Sequence, residues 1–325
     1  MKSPKHILIC RIDNIGDAIL TFPVCGVIKK YYPDCKISFL GRSYTRDTIS
    51  ICEHINGFLN YDELKELSVT ERRKFFNDQQ IDTAILLHVH LELARFVRSA
   101  GIKKRVGSAR DLHHWRTCNK LAFFSKKAGK MHMTEINLKF LKGIGIHEHI
   151  PFQNFPDYLG VTKIVVLNEM YRSLLSTNKF NLILHPRAKN HAQQWSLERY
   201  AELIRRLDKN RFHIMISGAK EDREGMLDWL TEHEKNITDI SGKFSIDQFI
   251  SFISHADGLM SGSTGPVHIA AATGIHALGL FPDHKAANMA RWFPVGKKAE
   301  GIECTNADMN TISVEMVLEK INDWK

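Results

Sequence analysis

The stretch Ser261-Gly-Ser-Thr-Gly-Pro-Val-His-Ile-Ala-Ala-Ala-Thr-Gly274 limits the fold more than any other part of this chain. Residues 252–260 before it read as the end of a helix followed by a strand. Beyond Pro266 the residues are good helix formers. Ser263 or Thr264 suits the N-cap, and Pro266 suits the first helical turn. The result is a strand, a loop of small residues and a helix. Gly262 and Gly265 let a ligand approach the backbone closely. Bare amides at a helix start, with the helix dipole behind them, attract an anion. The stretch is therefore either a phosphate or diphosphate pocket or a tight α/β turn with nothing bound.

The same alternation runs along the whole chain. Residues 6–10 are a short apolar run of the kind that fills a parallel strand buried on both faces. Arg11-Ile-Asp-Asn-Ile-Gly-Asp17 then leads into residues 19–31, which have helical period. This loop has one glycine, Gly16, and no G-x-G-x-x-G, so a dinucleotide fingerprint is absent. Further strands are expected at 36–41, 57–61, 82–90 and 103–107, with helices at 45–52, 64–80, 91–100 and 134–144. A second alternating half has strands at 180–185, 212–218 and 276–281, and another in the later part of 252–260. Its helices are expected at 168–177, 196–207, 220–234 and 245–254, with an amphipathic one at 313–324. Such alternation marks doubly wound parallel sheets. The linker near 151–170 divides the chain into domains 1–160 and 161–325.

A chain of 325 residues is long enough for two such domains. Its net charge of +9 favours anionic partners such as nucleotides, phosphorylated lipids, membrane surfaces or nucleic acid. No nucleic-acid module is recognisable. Residues 108–135 are irregular and basic, with Trp115, Phe123 and Phe124 among Arg110, Arg116, Lys120, Lys126, Lys127 and Lys130. Such a segment suits an anionic or amphipathic acceptor at a membrane surface, or simply an exposed loop. The six cysteines include no C-x-x-C pair, which argues against zinc knuckles and fits a reducing compartment. No signal-peptide core and no 18-residue apolar run is present, so a cytoplasmic location is expected.

Three blocks in order resemble the ADP-heptose:lipopolysaccharide heptosyltransferases, the family 9 glycosyltransferases. They are Arg11-Ile-Asp-Asn-Ile-Gly-Asp17 with Thr21-Phe-Pro23, His185-Pro to Trp195 with Ser196-Leu-Glu-Arg-Tyr200, and Gly262-Ser-Thr-Gly-Pro-Val-His-Ile-Ala-Ala271. The resemblance implies the α/β architecture called GT-B: two Rossmann-like domains facing across a cleft, acceptor domain first and nucleotide-sugar domain second. The last helix commonly returns to the first domain. The implied chemistry is inverting transfer of a heptose from ADP-heptose to a sugar hydroxyl of the lipopolysaccharide core, with no metal and no cofactor. Contact with the inner face of the inner membrane is also implied.

Asp17 matches the family's proposed catalytic aspartate and would take the acceptor's proton. A helix N-cap is its alternative role, and Asp13 is the second candidate base. The departing diphosphate would meet the turn at Thr264, Gly265, Pro266 and Val267, with Arg187 and Lys189 as cations. His268 matches the family histidine near the donor. Glu221 or Asp222 would bind the ribose. Asp13, Arg110, Arg116 and Lys120 are candidate acceptor contacts. Two departures stand out: Ser263 occupies a common aspartate position, and Gln193 and Gln194 precede Trp195 where relatives carry lysine. They leave room for another nucleotide sugar or for a relative that binds nucleotide sugars without catalysis; a related glycosyltransferase with a protein acceptor is a further alternative.

Overall fold

A computed structural model describes residues 3–87, 90–124, 131–187, 194–284 and 287–325. The chain divides into two compact units, Met1–Lys163 and Ile164–Lys325, against a boundary expected at 160/161. Each unit is built on its own six-stranded parallel sheet.

The first sheet contains β1 (His6–Cys10), β2 (Lys36–Gly41), β3 (Gly57–Asn60), β4 (Thr83–Leu86), β5 (Lys104–Ser108) and β6 (Lys120–Ala122). Their spatial order is β3-β2-β1-β4-β5-β6. β1 is buried along its full length, as a central parallel strand flanked by helices must be. It pairs His6 with Lys36 through Cys10 with Leu40 on one side, and Ile7 with Thr83 through Cys10 with Leu86 on the other. On one face, Leu8, Cys10, Leu40 and Leu86 pack against Phe76, Leu93, Phe96 and Val97 from the crossing helices. Tyr61 and Phe76 meet Phe96 edge-on at 5.2 and 5.9 Å between centroids.

The second sheet repeats the plan with β7 (Phe180–His185), β8 (Phe212–Ile216), β9 (Thr238–Asp239), β10 (Gly258–Gly262), β11 (His276–Phe281) and β12 (Ala299–Glu303). Its order is β12-β11-β10-β7-β8-β9, the same topology as the first sheet read from the opposite edge. The final helix, Val314–Asn322, belongs to the second unit. Its apolar residues Val314, Val317, Leu318 and Ile321 recur at helical spacing and complete the second core beside Leu203 and Tyr200. Trp324 closes that core, donating from Nε1 to Glu300 at 2.8 Å.

Several helices are shorter than the sequence pattern predicts. The run 64–80 becomes Tyr61–Leu64 and Val69–Asp78, because Ser68 and Glu71 form a capping box that restarts the helix. The run 220–234 breaks at Gly225, and the 168–177 helix shrinks to Glu169–Arg172.

Gly258 opens β10 beneath the Trp324 ring. A Cβ there would stand 2.6 Å from Trp324 Cζ3 and 3.0 Å from Phe180 Cε1. Gly258→Ala is therefore expected to cost roughly 1–3 kcal/mol and to lower Tm by roughly 2–10 °C, read by thermal melting.

Candidate active site

In each sheet the strand order reverses between the first strand and the fourth. Open parallel sheets bind ligands outside the carboxyl ends of the strands at such a reversal. In the first unit the point lies between β1 and β4, and the segment 11–17 leaves from there.

Arg11 follows the last residue of β1 and is only 6% exposed. Its guanidinium reaches every group around it. Nε pairs with Asp13 Oδ2 at 2.7 Å, and Nη2 makes a short ion pair with Asp17 Oδ1. Nη1 donates to the Leu87 carbonyl at 3.2 Å and to Asn137 Oδ1 at 3.3 Å. A buried arginine is tolerable when opposite charge balances it in this way. Tyr44 Oη donates to the Asp13 carbonyl at 2.7 Å and fixes the loop from outside.

Asp17 sits in the first turn of the helix Ile15–Ile19, whose N-cap is Asn14, so the alternative in which Asp17 is itself the cap is not what forms. Its side chain is largely buried, and burial, the largest influence, raises its pKa above the ordinary aspartate value. The Arg11 charge opposes that rise, and the neighbouring Asp13 charge adds to it. A carboxylate made more basic by burial, beside an arginine that favours its charged form, is suited to accepting a proton.

In the second unit the reversal lies between β7 and β10, where Ser261 is in register with His185. The helix Gly265–Thr273 starts directly from β10, with Thr264 in the N-cap position. Thr264 makes no side-chain cap bond; its hydroxyl lies 2.6 Å from Ser261 Oγ instead. Its amide, an expected anion donor, is spent on the Gly262 carbonyl at 2.8 Å. The remaining donors are those of the helical first turn from Gly265 through Val267, which have no carbonyl within the helix to bond. Pro266 has no amide and presets the turn. His268 is buried within the same helix.

Arg187 leaves the end of β7 half-buried, donating from Nη2 to the Gly225 carbonyl at 3.2 Å. It lines a depression with Pro186, Gln194, Trp195, Ser196 and Glu198. Lys189 and Gln193 lie outside the described residues. Of the two acidic candidates after β8, Asp222 is engaged: its Oδ2 accepts from the Ala219 amide at 2.9 Å and caps its own helix. Glu221 is exposed. Arg110 and Arg116, on the β5–β6 crossover, and Lys120, which opens β6, are all exposed, whereas Asp13 follows β1 on the other side of β4.

Two features escape the sequence pattern. One is Arg11 as the hub of the acidic pair; its only signal is a charge set straight after a buried run. The other is His185, whose Nδ1 lies 2.9 Å from Ser217 Oγ. Burial lowers its pKa to about 4, so it is neutral at pH 7 and offers hydrogen bonding but no charge. Among the described residues no group of three or more His, Cys, Asp or Glu is arranged to hold a metal ion. No described helix is long and apolar enough to cross a membrane.

Residues 70–322 match the model of glycosyltransferase family 9 (heptosyltransferase). The chain belongs to this glycosyltransferase family. Among its relatives is the lipopolysaccharide core heptosyltransferase OpsX of Haemophilus influenzae, 23% identical over 301 residues, 89% of this chain and 82% of that protein. The family 9 glycosyltransferase structure from Veillonella parvula superposes with a TM-score of 0.80 at 15% identity, covering 98% of this chain and 97% of that one. The Escherichia coli heptosyltransferase WaaC, solved with ADP, gives 0.76 at 16% identity, covering 98% of this chain and all of that one. The two Rossmann-like units are thus those of a GT-B glycosyltransferase.

Proposed function

We propose that this family 9 enzyme moves a heptose from ADP-heptose to a sugar hydroxyl of the lipopolysaccharide inner core, with inversion and without a metal ion. The observation that carries the reading is the buried Asp17 carboxyl, ion-paired to Arg11 at the carboxyl edge of β1. The acceptor oxygen forms its bond to the anomeric carbon as its proton passes to Asp17. The bond from that carbon to the diphosphate oxygen breaks, and the electron pair leaves with ADP. One displacement inverts the centre.

The negative charge growing on the diphosphate is met by the first-turn amides of the helix Gly265–Thr273 and by Arg187 and Lys189, which act as fixed positive ends. His268 lies near the donor, and Glu221, rather than the engaged Asp222, takes the ribose hydroxyls. Asp13, Arg110, Arg116 and Lys120 serve the acceptor. The name of OpsX supports a lipopolysaccharide core acceptor, and the ADP of the WaaC structure supports an adenine nucleotide. An acceptor of this kind places the enzyme in the cytoplasm at the inner face of the inner membrane. Ser263, Gln193 and Gln194 favour a second reading, in which the same site takes a different nucleotide sugar.

Calorimetric titration with ADP, ADP-heptose and UDP-sugars in EDTA tests the donor. ADP and ADP-heptose are expected to bind at least about tenfold more tightly than UDP compounds, a difference of about 1.4 kcal/mol. Preference for UDP compounds would transfer the chemistry to another donor. Transfer that vanishes in EDTA and returns with a divalent cation would overturn the metal-free account.

A further inference from the structure

Leu112, Trp115 and Phe123 are 86%, 56% and 67% exposed. They are adjacent. Leu112 and Trp115 are three residues apart on the helix Leu112–Thr117, and the Trp115 and Phe123 rings meet edge-on with centroids 6.3 Å apart. Large apolar groups gathered in the open mark a binding surface rather than ordinary exposure.

The cluster is also held rigidly. The opposite side of the helix is buried through His114 and Thr117, and the Ser108 amide donates to His114 Nδ1 at 2.9 Å. Trp115 Nε1 donates to the Ala109 carbonyl at 2.9 Å, which turns the indole's polar edge inward and leaves its ring facing out.

Arg110, Arg116 and Lys120, close to these side chains in the sequence, are exposed, and Arg116 stands four residues from Leu112 on the same helix and so shares its face. Across residues 93–124 there are eight lysines and arginines against the single acid Asp111, a net +7 in a chain whose total is +9. Most of the basic excess thus sits in the segment that carries the apolar cluster. An apolar tip on a basic segment matches a bilayer with anionic headgroups: the rings enter the acyl boundary while the cations stay at the phosphates.

We infer that Leu112, Trp115 and Phe123, with the exposed cations Arg110, Arg116 and Lys120 of the same segment, dock this protein onto an anionic phospholipid surface. Phe123 follows the carboxyl end of β6, and Asp17 lies beyond the carboxyl end of β1, so both are on one edge of the sheet. β1 and β6 are three strand spacings apart, roughly 14–15 Å. A surface-bound chain would therefore present Asp17 close to a lipid-linked hydroxyl. That last step rests on the heptosyl-transfer reading; the docking surface does not, and it is tested without turnover.

The full chain is sedimented with vesicles of phosphatidylglycerol and phosphatidylethanolamine, and separately with phosphatidylcholine. Binding is expected on the anionic vesicles, weakening in high salt. Trp115→Ser with Phe123→Ser is expected to reduce partitioning at least about tenfold. Arg116→Gln and Lys120→Gln each reduce it about fivefold. Val166→Ser, at an 83% exposed apolar position in the second unit, leaves it unchanged. Unaltered Tm and ADP affinity in the double variant show that the fold is intact. Partitioning that ignores lipid charge, or that survives the double substitution, overturns the inference. So does self-association in sedimentation velocity that the double variant abolishes, since the face then belongs to a second copy of the chain.

Discussion

Asp17→Asn is expected to lower kcat about 10²–10⁴-fold while ADP affinity stays within about twofold, because general-base catalysis contributes on that scale and the amide keeps the shape of the side chain. Rapid-quench or product-release assays beside calorimetry separate the two effects. The pH profile adds a sharper check. The base must be ionised, so activity rises with pH through the pKa of the carboxyl. Burial raises that pKa, which moves the acid limb above the usual aspartate range. Asp17→Asn removes this limb. For stability the sign is reversed: a carboxyl whose pKa is raised in the fold favours the native state at low pH. That contribution is lost as pH rises from the unfolded value to the folded one. Full activity in Asp17→Asn would hand the role of base to another group.

Arg11→Met is expected to be the most destabilising single change in the first unit. It strands the buried carboxylate of Asp17 beside Asp13 and leaves the Leu87 carbonyl and Asn137 Oδ1 without their donor. Breaking one side of a buried ion pair costs about 3–5 kcal/mol, which for a unit of this size lowers Tm by roughly 6–20 °C. Arg11→Lys does not restore it, because one ammonium cannot span the directions that the guanidinium fork covers. Adding Asp17→Asn to Arg11→Met recovers part of the loss by removing the unpaired charge. Where the Arg11→Met protein remains folded, its acid limb moves to still higher pH, since Arg11 was lowering the pKa of Asp17. A Tm within a degree or two of wild type would show that Asp17 keeps its charge by other means.

Apolar runs identify the central strands well. Ile7 to Cys10, Leu182 to Leu184 and Ala277 to Leu280 are buried on both faces, and nothing but a parallel interior accommodates them. The edge strands are harder to see. β6 (Lys-Leu-Ala) and β12 (Ala-Glu-Gly-Ile-Glu) pair on one side only and are partly exposed, so their composition carries little strand character. Helix interruptions depend on single local bonds, such as the Ser68–Glu71 box, that periodicity does not register. Asp17 is legible because it lies in a compact local block. The role of Arg11 is only partly so, because its partner Asn137 is 126 residues away and the one local signal is a charge set straight after a buried run. Likewise, nothing in the sequence announces the single bond from the Ala219 amide that engages Asp222 while Glu221 stays exposed.

Each sheet takes all its strands from one half of the chain: the first is complete by Ala122 and the second begins at Phe180. On the ribosome this order becomes a schedule. At about 5–20 residues per second, the 162 residues of the second unit occupy roughly 8–30 s of synthesis. The first sheet can close during that interval, with the Leu112–Trp115–Phe123 tip already displayed. On the inference above, the nascent protein can then settle on a lipid surface before its second unit exists.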